Sequence, residues 1–295
     1  NGLVTVTGLE ENATWQYSID SGDNWTPGTG SSFTLSTADS YNVLVRQTDV
    51  AGNQSETGSL SFTLDLSAAE GELSLANDSG NSSTDRITND ISINAAGLEE
   101  GAEWQYRFGT TAEWASGGTG SALQLSTEDA SAADGQKTVY VRQVDAAGNI
   151  SEEQSLSFTL DTGAAAPTLS ITDTGSSSSD KITNNGLVTV NGLEENATWQ
   201  YSVDNGDNWL TGSGSSVTVS TADSYNVLVR QTDVAGNQSD AGSLSFTLDT
   251  SAAEGVISLA NDTGTGSSDR VTSDGTFSIT GLESGASWQY RFSSG

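Results

Sequence analysis

Glu103-Trp104-Gln105-Tyr106-Arg107-Phe108 is the stretch of sequence that decides the fold. Aromatic side chains occupy every second position of this stretch, and polar ones lie between them. Successive side chains of a β-strand point to opposite faces, so the alternation predicts a strand with one buried face. The stretch 155–160 alternates in the same way, with Leu156, Phe158 and Leu160 on one face. We expect the tryptophan and its aromatic neighbours to lie in a hydrophobic core.

The centre of this strand is repeated along the chain at spacings of 89, 95 and 89 residues. The four copies are Trp15-Gln16-Tyr17, Trp104-Gln105-Tyr106, Trp199-Gln200-Tyr201 and Trp288-Gln289-Tyr290. Two other motifs return with it: an Arg-Gln-x-Asp-x-Ala-Gly-Asn motif at 46–53, 142–149 and 230–237, and Ser-Phe-Thr-Leu-Asp ending at Asp65, Asp161 and Asp249. A period near 90 residues is the length of a domain, about twice that of typical solenoid repeats.

The repeats are of two alternating types, because the first copy matches the third and the second matches the fourth. We predict four domains, called beads below. They are bead 1 (residues 1–65, type A, N-terminally incomplete), bead 2 (66–161, type B), bead 3 (162–249, type A) and bead 4 (250–295, type B, C-terminally incomplete). The chain starts and stops inside a repeat, as expected for a piece of a longer array.

Each bead is predicted to be an immunoglobulin-like β-sandwich. Bead 2 shows seven strand signals, at 72–76, 91–94, 103–108, near 114, and at 122–126, 138–143 and 155–160. Seven short antiparallel strands in about 90 residues, separated by Gly, Asn and Ser turns, are typical of that fold. The sequence therefore predicts an all-β, elongated array of tandem sandwiches. The repeated arginines (Arg46, Arg142 and Arg230) are expected opposite the core, solvated or salt-bridged.

The composition excludes several classes of function. The 295 residues include 9 Lys and Arg against 39 Asp and Glu, a formal charge of −30, with no Cys and no His. Such a chain is repelled by nucleic acid and by anionic membrane surfaces. Without His or Cys it lacks the commonest general base and transition-metal ligand, so we expect no enzyme. Its apolar runs are far shorter than the roughly 18 residues of a membrane span, so no membrane insertion is expected.

The acidic residues recur at the ends of the beads. In an immunoglobulin-like sandwich, the loop before the Trp strand and the loop after the Arg strand meet where the chain enters the domain. This places Glu99 and Asp145, with Asn149, beside Asp65 of the preceding bead. The same reasoning groups Asp161 with Glu194 and Asp233, and Asp249 with Glu283; Asp49 holds the matching position in bead 1.

A second acidic motif lies near the other end of each bead, on a loop rich in Gly and Ser. It reads Asp-x-Gly and then Asp-[Arg/Lys]-[Ile/Val]-Thr, with two aspartates seven residues apart. The pairs are Asp78 and Asp85, Asp173 and Asp180, and Asp262 and Asp269. A flexible loop with several oxygen donors can wrap a calcium ion.

Calcium is the predicted partner of these residues, because clustered carboxylates repel one another and a divalent cation reverses that repulsion. The alternative is a solubilising acidic coat. A coat would scatter carboxylates over the strand faces, whereas these recur at loop ends and where linkers begin. Paired carboxylates can also hydrolyse glycosides, but an active site repeated in every bead is not expected.

The combined motifs resemble the bacterial Ig-like repeats of giant surface adhesins, the repeats-in-toxin adhesins and biofilm-associated proteins of Gram-negative bacteria. The resemblance spans the whole chain. It implies type I secretion, retention at the outer surface, and calcium at the bead junctions of a long extender arm that serves adhesion and biofilm formation, with neighbouring repeats as partners. An alternative remains open, in which the beads themselves bind a surface glycan or an identical chain and form a matrix filament.

Overall fold

The computed structural model describes residues 2–123, 125 and 133–293. The chain forms two compact units, residues 1–162 with 234–237, and residues 163–233 with 238–295. All regular elements in the described ranges are β-strands, so the all-β prediction is confirmed. None of the described residues forms a helix long and apolar enough to cross a membrane.

The first unit begins with two small sheets from bead 1. Its six strands are β1 (Gly2–Thr5), β2 (Thr14–Ser18), β3 (Thr26–Pro27), β4 (Ser32–Leu35), β5 (Asp39–Thr48) and β6 (Gly58–Leu64). One sheet pairs β1 with β4, and the other has the order β3-β2-β5-β6. The core between them contains Val4, Leu35, Val43 and Leu64.

Bead 2 completes the first unit. Its strands are β7 (Glu72–Leu75), β8 (Ile87–Thr88), β9 (Ile93–Ala96), β10 (Glu103–Phe108), β11 (Ala115–Gly118), β12 (Gly135–Val144) and β13 (Gln154–Leu160). One sheet pairs β7 with β9, and the second has the order β11-β10-β12-β13-β8. In the second sheet β8 runs parallel to β13 and every other pairing is antiparallel.

The predicted strands of bead 2 agree with this arrangement to within a few residues, and the strand at 103–108 has the predicted bounds. The predicted strand at 122–126 lies partly outside the described residues. Within them, Ala122 forms an isolated bridge with Asn94. The sequence did not predict β8. A two-residue strand is too short to show alternation, and its place in the sheet depends on β13.

The second unit contains the strands of beads 3 and 4. They are β14 (Thr168–Ile171), β15 (Ile182–Thr183), β16 (Leu187–Asn191), β17 (Thr198–Ser202), β18 (Leu210–Thr211), β19 (Ser216–Thr218), β20 (Asp223–Thr232), β21 (Gly242–Leu248), β22 (Val256–Leu259) and β23 (Phe277–Thr280). Bead 3 has sheets of order β14-β16-β19 and β15-β21-β20-β17-β18, and bead 4 pairs β22 with β23. The boundaries of the four beads stay a prediction.

The repeated tryptophan is a core residue in three copies. Trp15, Trp104 and Trp199 are each 5% exposed or less. The core prediction is wrong for Trp288, which is 48% exposed and lies outside any strand. In bead 2 the Trp strand β10 pairs with β12, which follows it in the sequence. Residues 250–293 supply no such strand, and Trp288 contacts the ring of Tyr290 but stays about half exposed.

In the two type A beads, a glycine thirteen residues after the core tryptophan makes room for its ring. In bead 3 the amide of Gly212 donates to the carbonyl oxygen of Trp199 at 2.9 Å. A Cβ atom at Gly212 would lie 2.2 Å from Cδ2 of the ring, and one at Gly28 would lie 2.1 Å from the ring of Trp15. The indole Nε1 of Trp199 also donates to the carbonyl oxygen of Gly214 at 3.0 Å, which fixes the position of the ring.

The repeated arginines stack on a second set of tryptophans. The guanidinium carbon of Arg46 lies 3.8 Å from the ring centroid of Trp25, and the equivalent distances are 4.1 Å for Arg142 over Trp114 and 4.0 Å for Arg230 over Trp209. The guanidinium Nε of all three donates to a glutamine side chain on the neighbouring strand: Gln16, Gln105 and Gln200. The arginines are partly exposed, as expected of solvated residues, but the sequence did not predict that each guanidinium stacks on an aromatic ring and donates to an amide oxygen.

The hairpin between β17 and β18 is held by a carboxylate with a low pKa. Asp204 accepts hydrogen bonds from the hydroxyl of Ser202 at 2.7 Å and from the side chain and backbone of Asn208 at 2.7 and 3.0 Å. The Ser202 hydroxyl and then the Asn208 groups lower the pKa of Asp204 from 3.8 to about 2.

We expect Asp204→Asn to weaken the acid dependence of bead 3. Because the folded pKa is depressed, the stability from Asp204 is complete above the unfolded value of 3.8 and is lost as the pH falls through about 2. The variant should be less stable than the wild type at pH 7, and the gap should close between about pH 4 and 2. Urea denaturation across this range measures it. Asp207→Asn in the same hairpin is the control, and an equal pH response of both variants would contradict the assignment.

Candidate metal centre

Three carboxylates from separate parts of the first unit converge at the start of bead 2. Asp65 directly follows β6, Glu99 lies in the loop between β9 and β10, and Asp145 directly follows β12. Each offers one oxygen, and the three oxygens lie within 4.8 Å of one another. Calcium binds oxygens at 2.3–2.6 Å, so two ligands on opposite sides of one ion lie about 5 Å apart. The spacing therefore fits a single calcium-sized cation.

Asp145 also organises its own loop. Its Oδ1 accepts the backbone N–H groups of Ala147 and Asn149, both at 2.8 Å, and its Oδ2 accepts the side-chain amide of Asn149 at 2.7 Å. Burial raises the pKa of Asp145, but the hydrogen bonds from Asn149 and the loop backbone outweigh burial, and the pKa lies below its ordinary value. Asp145 is thus a buried carboxylate that stays ionised.

The repeated Asp-x-Ala-Gly-Asn motif therefore has a structural cause in addition to any ion. Asp49 of bead 1 makes the same three bonds, to the backbone of Ala51 and to the backbone and side chain of Asn53, at 2.8–2.9 Å. Recurrence of this aspartate alone does not distinguish a metal ligand from a residue that shapes its loop.

Glu99 and Asp65 have different surroundings. Oε1 of Glu99 accepts the backbone N–H of Ala69, in the linker, at 2.5 Å. Oδ1 of Asp65 accepts the N–H of Ser67 at 3.2 Å. Burial decreases from Asp145 through Glu99 to Asp65, so the cluster opens to solvent on the linker side.

Sequence reasoning missed Gln143, which lies at the centre of this end of bead 2. Its side chain is 0% exposed. Its Nε2 donates to the carbonyl oxygens of Ala69 and Gly97 at 2.6 and 3.0 Å, and its Oε1 accepts the N–H of Glu99 at 3.0 Å. A glutamine follows the repeated arginine in every copy, at Gln47, Gln143 and Gln231, on the inward face of an alternating strand. That position was the available signal.

The other predicted junction groups stay predictions. Asp161 belongs to the first unit, and Glu194 and Asp233 to the second, so their grouping stays a prediction. In the second unit, Glu283 accepts the N–H of Ala253 at 2.6 Å, and Asp249 accepts the N–H of Ser251 at 3.2 Å. Within the described ranges, Asp65, Glu99 and Asp145 are the one group of three acidic residues close enough to share an ion.

The second acidic motif forms a closed loop in all three copies. Oδ2 of Asp78 accepts the N–H of Arg86 at 3.1 Å, eight residues later, and Oδ1 of Asp85 accepts the N–H of Ile87 at 3.0 Å. Asp173 and Asp262 close their loops onto Lys181 and Arg270 at 2.8 and 3.1 Å. Asp180 and Asp269 repeat the contact of Asp85.

One carboxylate oxygen in each of these loops is buried without a hydrogen-bond partner in the structure. The three atoms are Oδ1 of Asp78, Asp173 and Asp262. A buried acceptor without a partner costs about 1–3 kcal/mol, so three repeats of the same orphan are consistent with a ligand that the protein atoms do not supply. The second aspartate of each loop (Asp85, Asp180 or Asp269) lies seven residues after the first. In the described part of the chain, neither aspartate belongs to a group of three acidic residues close enough to share an ion.

Tandem antiparallel sandwiches with acidic loops at their ends define the chain as an array of immunoglobulin-like domains. Residues 66–162 and 165–250, more than half of the chain, match the family model of the bacterial Ig-like domain. The chain belongs to that family. No curated protein matches it.

Solved structures with similar folds come from diverse sources. The FN1–FN3 domains of chicken CNTN1 match at 12% identity and TM-score 0.30, over 83% of this chain and 98% of that one. Fibronectin(III)-like modules of Clostridium thermocellum CbhA match at 12% and 0.30, over 52% and 82%. A biofilm-associated protein BSP domain matches at 17% and 0.22, over 74% and 44%. At these identities and TM-scores the matches add nothing about function.

Proposed function

We propose that the chain is an extender segment of a large bacterial cell-surface adhesin, in which calcium at the bead junctions stiffens the array and projects a distal binding region. The protein would be exported by type I secretion and held at the outer surface, and it would carry out no catalysis. Tandem domains of the bacterial Ig-like family support this proposal. The convergence of Asp65, Glu99 and Asp145 is the observation that carries it.

The physical mechanism is linkage between ion binding and alignment. Asp65 ends bead 1, whereas Glu99 and Asp145 belong to the facing end of bead 2. Two unit charges about 4 Å apart repel by roughly 1 kcal/mol at the dielectric constant of water and by about 4 kcal/mol near a protein surface. A cation that binds only when the three oxygens are together stabilises the aligned arrangement. The orphaned oxygens of Asp78, Asp173 and Asp262 would form a second set of sites, which calcium would satisfy within each bead.

The proposal predicts that Asp65→Asn weakens calcium binding at the first junction. Loss of one of three charged ligands should weaken that site by about tenfold or more, because ligand charge sets calcium affinity. Isothermal titration calorimetry counts the sites, and small-angle scattering with calcium and with chelator reports the maximum dimension. Glu56→Gln, an exposed residue of bead 1 outside the clusters, makes the same charge change and should leave binding unaltered.

Two outcomes would contradict the extender function. A wild-type chain whose maximum dimension and melting temperature are equal in calcium and in chelator has no calcium-stiffened junction. A variant at Asp65 that binds as many ions as the wild type, with equal affinity, would remove Asp65 from the site. Magnesium at the same concentration separates a specific ion from simple charge screening, because magnesium requires a smaller octahedral shell.

A further inference from the structure

We propose that Glu99 and Gln143 form a clamp that holds the linker backbone at Ala69 without any cation. In this linker clamp, Gln143 is a positioning residue for the junction. The inference deepens the proposed function and rests on it only for the role of the junction. The cation would then complete an arrangement that the clamp has already set.

The clamp satisfies both backbone groups of one linker residue. The N–H of Ala69 donates to Oε1 of Glu99 at 2.5 Å, and its carbonyl oxygen accepts from Nε2 of Gln143 at 2.6 Å. Gln143 is itself tied to the bead by Gly97 and by the backbone N–H of Glu99. The two side chains therefore bond only the main chain of Ala69, as a neighbouring β-strand would.

The same clamp occurs in the second unit with a different linker sequence. Ala165 donates to Oε1 of Glu194 at 2.7 Å and accepts from Nε2 of Gln231 at 2.7 Å. Gln231 is also 0% exposed, and its Oε1 accepts the N–H of Glu194 at 2.8 Å. The linkers read Asp-Leu-Ser-Ala-Ala and Asp-Thr-Gly-Ala-Ala, and the clamped residue is the alanine four positions after the aspartate in both. Both bead types thus use one device.

The clamp consists of one neutral side chain, Gln143, and one charged side chain, Glu99, and the two respond differently to calcium. Gln143 has no charge, so its bonds need no counter-ion and form at any calcium concentration. One carboxylate oxygen of Glu99 accepts the N–H of Ala69, which leaves the other oxygen to bind an ion beside Asp65 and Asp145. In chelator, the chain should therefore stay attached at Ala69 and bend only within residues 65–68.

Hydrogen exchange of the Ala69 amide in the full chain tests the clamp directly. In chelator, we expect wild-type Ala69 to exchange at least about tenfold more slowly than the unclamped amides of its linker, the effect of one lost hydrogen bond. Glu99→Met removes the acceptor and should abolish this protection. Glu99→Gln keeps an acceptor oxygen and should retain protection while it removes a negatively charged cation ligand. Ala165 is the internal reference, since its own clamp is unaltered in both variants.

Three results would overturn the clamp: an Ala69 amide protected only when calcium is present, protection that survives Glu99→Met, or protection lost equally in Glu99→Gln. The Tyr140 amide on β12 reports whether bead 2 remains folded in each variant. The proposed function fails separately. If the Ala69 amide is protected in chelator but the maximum dimension from scattering is the same with and without calcium, the clamp is supported and calcium stiffening is contradicted.

Discussion

Gly212→Ala is expected to lower the free energy of unfolding of bead 3 by about 3 kcal/mol or more, at the upper end of the cost of overpacking a core. The added Cβ would lie 2.2–2.3 Å from three ring carbons of Trp199, well inside van der Waals contact. The ring cannot move away easily, because it is 5% exposed and its indole nitrogen is bonded to Gly214. The backbone is equally constrained by the bond from Gly212 to Trp199.

Hydrogen exchange separates the beads in this experiment. Amides of β20 in bead 3 should lose protection in Gly212→Ala, and those of β12 in bead 2 should not. Gly275→Ala is the control, since a Cβ at Gly275 meets nothing within 4 Å, and it should change stability by no more than about 0.5 kcal/mol. Equal protection of β20 in both variants would mean that the Trp199 ring is not held as tightly as its contacts indicate.

Gln143→Glu is expected to have an effect of similar size with a different cause. The substitution replaces a donor of two hydrogen bonds by a carboxylate that faces the carbonyl oxygens of Ala69 and Gly97. It also adds a buried negative charge at the end of bead 2 that already carries Asp65, Glu99 and Asp145. Burying an unpaired charge costs about 3–5 kcal/mol, so bead 2 should be destabilised by that order in chelator.

Calcium should recover part of this loss, because the new carboxylate enlarges the acidic cluster. Chemical denaturation in calcium and in chelator measures both effects. Gln136→Glu lies at an exposed position of the same strand, β12, and makes the same change in total charge. If both variants lose equally little stability, the buried glutamine is not the centre of the clamp.

The strands could be predicted from the sequence because alternation is a local signal. The aromatic residues of 103–108 show the period of a half-buried strand without any knowledge of their partners. The strand β8 could not be found in this way, because Ile87 and Thr88 are strand residues only through their parallel pairing with β13. Trp288 shows the opposite limit, since its motif predicts burial but the covering strands are not among residues 250–293.

The candidate site was predictable in its charged part and not in its neutral part. Asp65, Glu99 and Asp145 could be placed together because a sandwich brings the relevant loops to one end. Gln143 was missed, because a single polar residue on the inward face of a strand looks like an exception to the pattern, and only its repetition at Gln47 and Gln231 marks it. Only the complete set of partners of the Ala69 backbone shows why a buried amide is required there.

The parallel strand β8 determines how bead 2 would respond to tension. Because β8 lies beside β13, the last strand of the bead is an interior strand of its sheet. On the β8 side, the N–H of Thr159 donates to Arg86 at 2.8 Å and that of Asp161 donates to Thr88 at 2.9 Å. A pull along β13 from the following linker would therefore load hydrogen bonds on both flanks of the strand, whereas an edge strand would be held by bonds on one flank only. Under tension, the Asp-Arg-Ile-Thr motif would therefore help to hold β13 in its sheet.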